Sequence, residues 1–191
     1  MNTPKIEPKI KAFLDELHAF GQREGGMWNV PPESAHFLHM MVIAIHATRI
    51  LEIGTSNGYS TIWLALAAKS IDGGVATIEN DPKKVIMARK NFLQAGMSKT
   101  IELWQGDAAM MLKRHSGLFD LVFIDAAKEE YLKYYRVALP MTRQFGLLIA
   151  DNAISHAAQM RDFLDFVAQD PHVQSTLLPI GSGLQVMLRV E

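Results

Sequence analysis

Four polar residues stand where apolar runs end, and their types suit metal-assisted chemistry. Asp125 follows Val122-Phe123-Ile124, and the pair Asp151-Asn152 follows Leu147-Leu148-Ile149-Ala150. Lys128 comes three residues after Asp125, about one helical turn on. Two carboxylates brought close together raise each other's pKa unless a cation sits between them. Two carboxylates and an amide oxygen are hard ligands of the kind Mg²⁺ takes, with positions left for water or substrate oxygens. A lysine beside a cation and partly desolvated can lose its proton near neutral pH and act as a general base. The same residues also suit turns and caps: Asp151-Asn152 can turn the chain, and Lys128 can head a charged helix with Glu129 and Glu130. Spacing alone leaves both readings open.

A second group suits a nucleoside. Ile50-Leu51-Glu52-Ile53 passes into Gly54-Thr55-Ser56-Asn57-Gly58-Tyr59-Ser60 and leaves as a helix-like run. Strand, glycine turn and helix open a nucleotide-binding βαβ unit, in which glycine lets the backbone turn sharply and approach a ligand. The dinucleotide pattern G-x-G-x-x-G is absent, because Gly54 and Gly58 stand four apart with Ser60 after them. Glu52 would repel a pyrophosphate, so the loop suits a cationic or uncharged ligand, or none. Glu79, ending the second apolar run, can accept hydrogen bonds from both hydroxyls of a ribose. Gly106-Asp107-Ala108, after the third, can cup an adenine edge, and Asp107 can equally cap the next helix.

Alternating elements must position these residues. Apolar spacing predicts helices over 6–20 and 33–47, with Gly21 and then Gly25-Gly26 ending the first. Strands are predicted over 50–53, 75–79, 100–104, 121–124 and 146–150, and helices over 60–69, 82–95, 108–113, 131–139 and 155–168. Pro82 after Asp81 reads as a first-turn proline behind its cap. Such alternation argues a parallel sheet covered on both faces, with ligands beyond the carboxyl ends of its strands. Residues 173–180 and 184–190, joined by Gly181-Ser182-Gly183, read as an antiparallel hairpin that completes seven strands. The chain therefore reads as one α/β domain over 1–191, with an N-terminal helical cap over 1–47 and an α/β core over 48–191.

Composition narrows the function classes. The sequence has 191 residues, 49% hydrophobic and 20% charged, with a formal net charge of −1. That charge is no electrostatic footprint for nucleic acid, although a local basic patch would not show in the total. There is no cysteine, which excludes disulfides, thiolate metal sites and cysteine nucleophiles. No run is long and apolar enough to span a bilayer, and the N-terminus lacks a signal-peptide core, so the expectation is a cytoplasmic protein without a membrane partner. His36 and His39 read as core histidines, His156 as the start of a surface helix or a substrate contact, and Trp28 as packing or a substrate wall. The pairs Met40-Met41 and Met110-Met111 read as core filler.

Taken together, Glu52-Ile53-Gly54-Thr55-Ser56-Asn57-Gly58-Tyr59-Ser60, Gly106-Asp107-Ala108, Phe123-Ile124-Asp125-Ala126-Ala127-Lys128 and Asp151-Asn152 resemble the cation-dependent O-methyltransferases, the family of catechol and caffeoyl-CoA O-methyltransferases and small bacterial relatives. The resemblance implies a Rossmann-like methyltransferase sheet and S-adenosylmethionine as cofactor. It implies that Glu52, Gly54, Thr55 and Ser60 hold the methionine part, with Val30 from the connector. Glu79 would bind the ribose, and Asp107 and Ala108 the adenine side. Asp125, Asp151 and Asn152 would bind a divalent cation, Mg²⁺ by type, and Lys128 matches the catalytic lysine, with Asp125 beside it. Many relatives have Asp-Ala-Asp-Lys where this chain has Asp125-Ala126-Ala127-Lys128, so a nearby carboxylate is lost but none of the three ligands. The implied substrate is a small vicinal-diol or catechol-type hydroxyl. The Asp-Ala-Ala-Lys form also occurs in relatives that methylate a hydroxyuridine in tRNA, and a non-catalytic S-adenosylmethionine-binding protein is the reading of another class. A homodimer through the exposed face of the N-terminal helices is expected.

Overall fold

The computed structural model describes residues 6–23, 27 and 29–191. Two helices come first, α1 (Pro8–Arg23) and α2 (Pro32–Ala44). Then follow β1 (Arg49–Ile53), α3 (Tyr59–Lys69), β2 (Gly74–Glu79), α4 (Pro82–Gln94), β3 (Ile101–Gln105), α5 (Ala108–Leu112) and β4 (Phe119–Ile124). The chain continues through α6 (Tyr131–Ala138), β5 (Thr142–Ala150), α7 (Arg161–Val167), β6 (Val173–Leu178) and β7 (Leu184–Arg189). The seven strands form one sheet in the order β3-β2-β1-β4-β5-β7-β6. The first five are parallel, and β7 runs antiparallel to both β5 and β6, as the C-terminal hairpin requires.

Successive strand residues enter opposite cores, which is why these strands read as continuous apolar runs. Ile50, Leu121, Phe123 and Ile149 pack with α1, α2, α3 and α4 on one face. Leu51, Ile53, Val122, Ile124 and Leu148 pack with α5, α6 and α7 on the other. Asp81 caps α4 by accepting from the Lys83 N–H at 2.8 Å, with Pro82 in the first turn.

Several expectations are corrected. Gly21 does not end the first helix; it lies inside α1, where a Cβ would collide with the Asn29 side chain that donates to the Leu17 carbonyl at 3.0 Å. That glycine admits a neighbouring segment, which helical periodicity does not reveal. The helix expected from residue 155 begins only at Arg161, because the N–H groups of Ile154 and Ser155 are drawn to the Ser182 carbonyl, at 3.1 and 3.0 Å. β5 starts four residues early and carries a register shift against β4, with Phe145 at φ 60°. Only one methionine of each pair fills the core: Met40 and Met110 are 57% and 58% exposed, while Met41 and Met111 pack against it. Trp28 and Gly25-Gly26 lie outside the described residues. Among the described residues no helix is long and apolar enough to cross a membrane.

Candidate active site

The parallel ladder runs one residue past the strands and so gathers their end residues in a row. The N–H groups of Gly54, Gly106, Asp125 and Asp151 donate to the carbonyls of Ile78, Glu79, Ile53 and Ile124, at 2.9 to 3.1 Å. Gly54 has φ 99°, and a Cβ there would land on the Asp125 carbonyl oxygen, so only glycine lets the β1 loop lie this close to the end of β4. Over this row opens a cleft of about 560 Å³, whose walls include Gly54, Glu79, Asp107, Ala108, Asp125 and Lys128.

The acids fall into distinct environments. Glu79 lines the cleft and holds two backbone amides, accepting from Ser56 N–H at 2.8 Å and Asp81 N–H at 2.9 Å. Asp107 caps α5 through the Met110 N–H at 2.9 Å and also pairs with Lys133 at 3.1 Å. Those contacts, the backbone amide first, hold its carboxyl below the usual range. Capping and lining the cleft are therefore compatible at Asp107.

Glu52 differs most from the expectation of direct ligand contact. Its carboxylate is fully buried on the inner face of β1, accepting from Ser60 Oγ at 2.6 Å, Thr77 Oγ1 at 2.6 Å and Thr61 Oγ1. Thr77 is its cross-strand partner in the β1–β2 register, and Thr55 Oγ1 lies 2.6 Å from Thr77 Oγ1. Glu52, Thr55 and Ser60 thus form a buried network behind the cleft wall. Val30 likewise sits in the core, 2% exposed, with α1 and α2.

Burial pushes the Glu52 carboxyl up to about 7 from its ordinary 4.5, against the three hydroxyl donors, with the Asp125 charge adding to the rise. A raised carboxyl stabilises the fold fully below its unfolded pKa, and that stability is lost as pH climbs through the folded one. Unfolding free energy is therefore expected to fall between pH 5 and pH 8 by on the order of a few kcal/mol more in the wild type than in Glu52→Gln, which cannot ionise. Denaturant melts at the two pH values measure the difference, and parallel profiles would contradict a strained anion at this position.

Among the described residues Asp151 is a second buried acid, 2% exposed, at the end of β5 and beside Asp125. Its Oδ1 has no hydrogen-bond partner. Burial first, then the Asp125 charge, raise its carboxyl to about 7. A buried oxygen left without a donor calls for an explanation, and a cation supplies one. Asn152 follows with φ 65°, and its Nδ2 donates to Ser155 Oγ at 3.1 Å, which leaves its carbonyl oxygen as an available ligand. Among the described residues no three His, Asp or Glu side chains cluster as a metal site. The donor set that fits is two carboxylates with an amide, completed by water or substrate oxygens, and it suits a hard cation.

Lys128 heads a single 3-10 turn, Lys128–Glu130, just after β4. Its Nζ donates to Asp125 Oδ1 at 2.8 Å and to Tyr131 OH at 3.1 Å. Tyr131 was not among the residues picked from sequence; its spacing of three from Lys128 is the signal that could have found it. His156 and Gln159 also reach the cleft, from the turn-rich segment ahead of α7. His36 and His39 are not ligands: both rings pack edge-on to Trp63, and His39 Nδ1 lies 3.2 Å from the Trp63 carbonyl.

Comparison with known proteins finds relatives along nearly the whole chain. The sequence model of the O-methyltransferase family matches residues 6–190. A catechol O-methyltransferase of Mycobacterium tuberculosis is 41% identical over 160 residues, covering 77% of this chain and 72% of that protein. Another, of Niastella koreensis, is 36% identical over 150 residues, covering 76% of this chain and 66% of its own length. The crystal structure of an O-methyltransferase from Bacillus cereus in complex with SAH is similar at a TM-score of 0.83 and 29% identity, covering 97% of this chain and 92% of that one. A match that runs through both the helical cap and the hairpin leaves one conclusion: this chain belongs to the O-methyltransferase family.

Proposed function

We propose that the protein transfers the methyl group of S-adenosylmethionine to one hydroxyl of a vicinal diol on a small aromatic substrate, and that a divalent cation is required. The observation that carries this reading is the partnerless, buried Asp151 Oδ1 beside Asp125, with Lys128 Nζ 2.8 Å from Asp125. The catechol O-methyltransferases among the relatives support the substrate class. The neighbour with SAH, the demethylated product, supports the methyl donor.

Asp125, Asp151 and Asn152 would hold the cation, which when bound supplies the charge that acidifies and fixes a substrate hydroxyl. Gly54 gives the donor close approach to the strand ends. Glu79 would bind its ribose and Asp107 with Ala108 its adenine, and all three line the cleft. The network of Glu52, Ser60, Thr77 and Thr55 holds the loop that would carry the methionine part, and Val30 packs in the core with α1 and α2. Lys128, anchored by Asp125 and Tyr131, would take the hydroxyl proton on Nζ. The oxygen's lone pair then forms the bond to the methyl carbon as the carbon–sulfur bond breaks, and the electron pair of that bond returns to the sulfonium sulfur.

One observation speaks against RNA as the substrate. Lys133, which with Lys128 and Arg136 would form a basic patch, is neutralised by Asp107 and Glu130, and the Arg136 guanidinium lies over Phe166. Methyl transfer from labelled S-adenosylmethionine to a catechol with Mg²⁺, compared with bulk tRNA, tests the assignment. Turnover of the catechol is expected, falling at least about 100-fold in EDTA and returning with Mg²⁺. Undiminished turnover in EDTA refutes the cation. Label in tRNA alone moves the substrate class, and donor binding with no transfer to either makes the protein a binding module.

A further inference from the structure

The loop after β5 holds Asn152 in a way that its backbone alone does not dictate. Asn152 has φ 65°, which asparagine tolerates better than most residues. Its Nδ2 donates to Ser155 Oγ at 3.1 Å, and Ser155 Oγ in turn lies 2.9 Å from His156 Nδ1. The main chain beneath is fixed separately. The Ala153 N–H donates to the Gly183 carbonyl at 2.9 Å, those of Ile154 and Ser155 to Ser182, and that of His156 to Asn152 at 2.9 Å. The turn of the C-terminal hairpin therefore sets where the loop lies through main-chain bonds.

A side-chain amide presents one of two faces. Its oxygen is a cation ligand, and its NH₂ repels a cation. A serine hydroxyl by itself serves either face, because it both donates and accepts. It discriminates only when its proton is committed elsewhere. We propose that Ser155 is a positioning residue for Asn152. Its hydroxyl proton goes to His156 Nδ1, its oxygen accepts the Asn152 N–H, and the Asn152 carbonyl oxygen is left to ligate the cation. Two ordinary hydrogen bonds thereby select the ligating face of a residue whose backbone position is already set. This inference rests on the reading of Asp125, Asp151 and Asn152 as a cation site.

Mn²⁺ binding to the protein, read from the EPR signal of the free ion, tests it without turnover. Ser155→Ala is expected to bind Mn²⁺ about tenfold more weakly, the size of effect typical of residues that orient metal ligands. Ser155→Thr restores the hydroxyl at an exposed position and is expected to restore the affinity. His156→Ala is expected to weaken binding by less than Ser155→Ala, because the freed hydroxyl then accepts either amide face. Melting temperatures are expected to match the wild type, since the loop's main-chain bonds use none of these side chains. Asn152→Ala and Asp151→Asn probe the underlying site. If both bind Mn²⁺ like the wild type, the cation site itself is wrong. If both weaken binding while Ser155→Ala does not, or Ser155→Thr fails to rescue, or His156→Ala leaves affinity unchanged, the positioning role is overturned and the cation site stands.

Discussion

Asp151→Asn is expected to lose catalysis and gain stability at the same time. The asparagine keeps the shape of the side chain and removes its charge. Turnover with Mg²⁺ should fall at least about 100-fold if, as proposed, Asp151 is one of two carboxylates that anchor a cation. In EDTA at pH 8, the same variant should be more resistant to denaturant than the wild type, by on the order of a few kcal/mol. The wild-type carboxyl is raised from 3.8 to about 7, so it stabilises the fold fully only below its unfolded pKa. As pH climbs through the folded value, the protein must bury an anion whose Oδ1 has no donor and whose neighbour is Asp125. The gain should therefore vanish near pH 4 and shrink in the wild type's favour when Mg²⁺ is added. Paired melts at two pH values, with and without Mg²⁺, read all of this. An Asp151→Asn protein that is less stable than the wild type at pH 8 in EDTA would show that the carboxylate is satisfied by the fold itself.

Lys128→Met is expected to separate proton transfer from binding. Methionine keeps an unbranched stem over the Tyr131 ring, above which Nζ lies 5.2 Å from the centroid. Turnover should fall by roughly 10²–10⁴, the range for loss of a general base. Donor affinity should hold, because Lys128 makes no contact with the Glu79 or Asp107 side of the cleft among its hydrogen bonds. Cation affinity should rise, since the ammonium that competes for Asp125 Oδ1 is removed. Single-turnover methyl transfer alongside Mn²⁺ binding measures both. Unchanged turnover would remove Lys128 from the chemistry, and weakened Mn²⁺ binding would mean that the lysine supports the cation site rather than competing with it.

The element order and the sites at strand ends were legible because both are local properties. Continuous apolar runs such as Val122-Phe123-Ile124 mark strands buried on both faces, and the hydrophilic residue that ends each run must emerge at the sheet's carboxyl edge. Glu79, Asp107, Asp125 and Lys128 line one cleft, and Asp151 lies buried at the end of the neighbouring strand. Residues whose fate depends on distant partners are not legible in this way. Gly21 looked like a helix stop and is a contact point for Asn29. The segment before Arg161 looked helical and is held in turns by Ser182 and Gly183.

The alternating fold and the acidic edge follow from periodicity and from residues near one another in the chain, and the family follows from motifs that resemble those of known O-methyltransferases. Which acids face the cleft and which turn inward depends on how the strands pack together. Glu52 sits among Ser60, Thr61 and Thr77, the last from another strand, and Asp151 lies at the end of β5 beside Asp125 at the end of β4. Both carboxyls are pushed toward 7 by burial. Desolvation and cross-strand register are set by the packing of the whole sheet, so no window of sequence contains them.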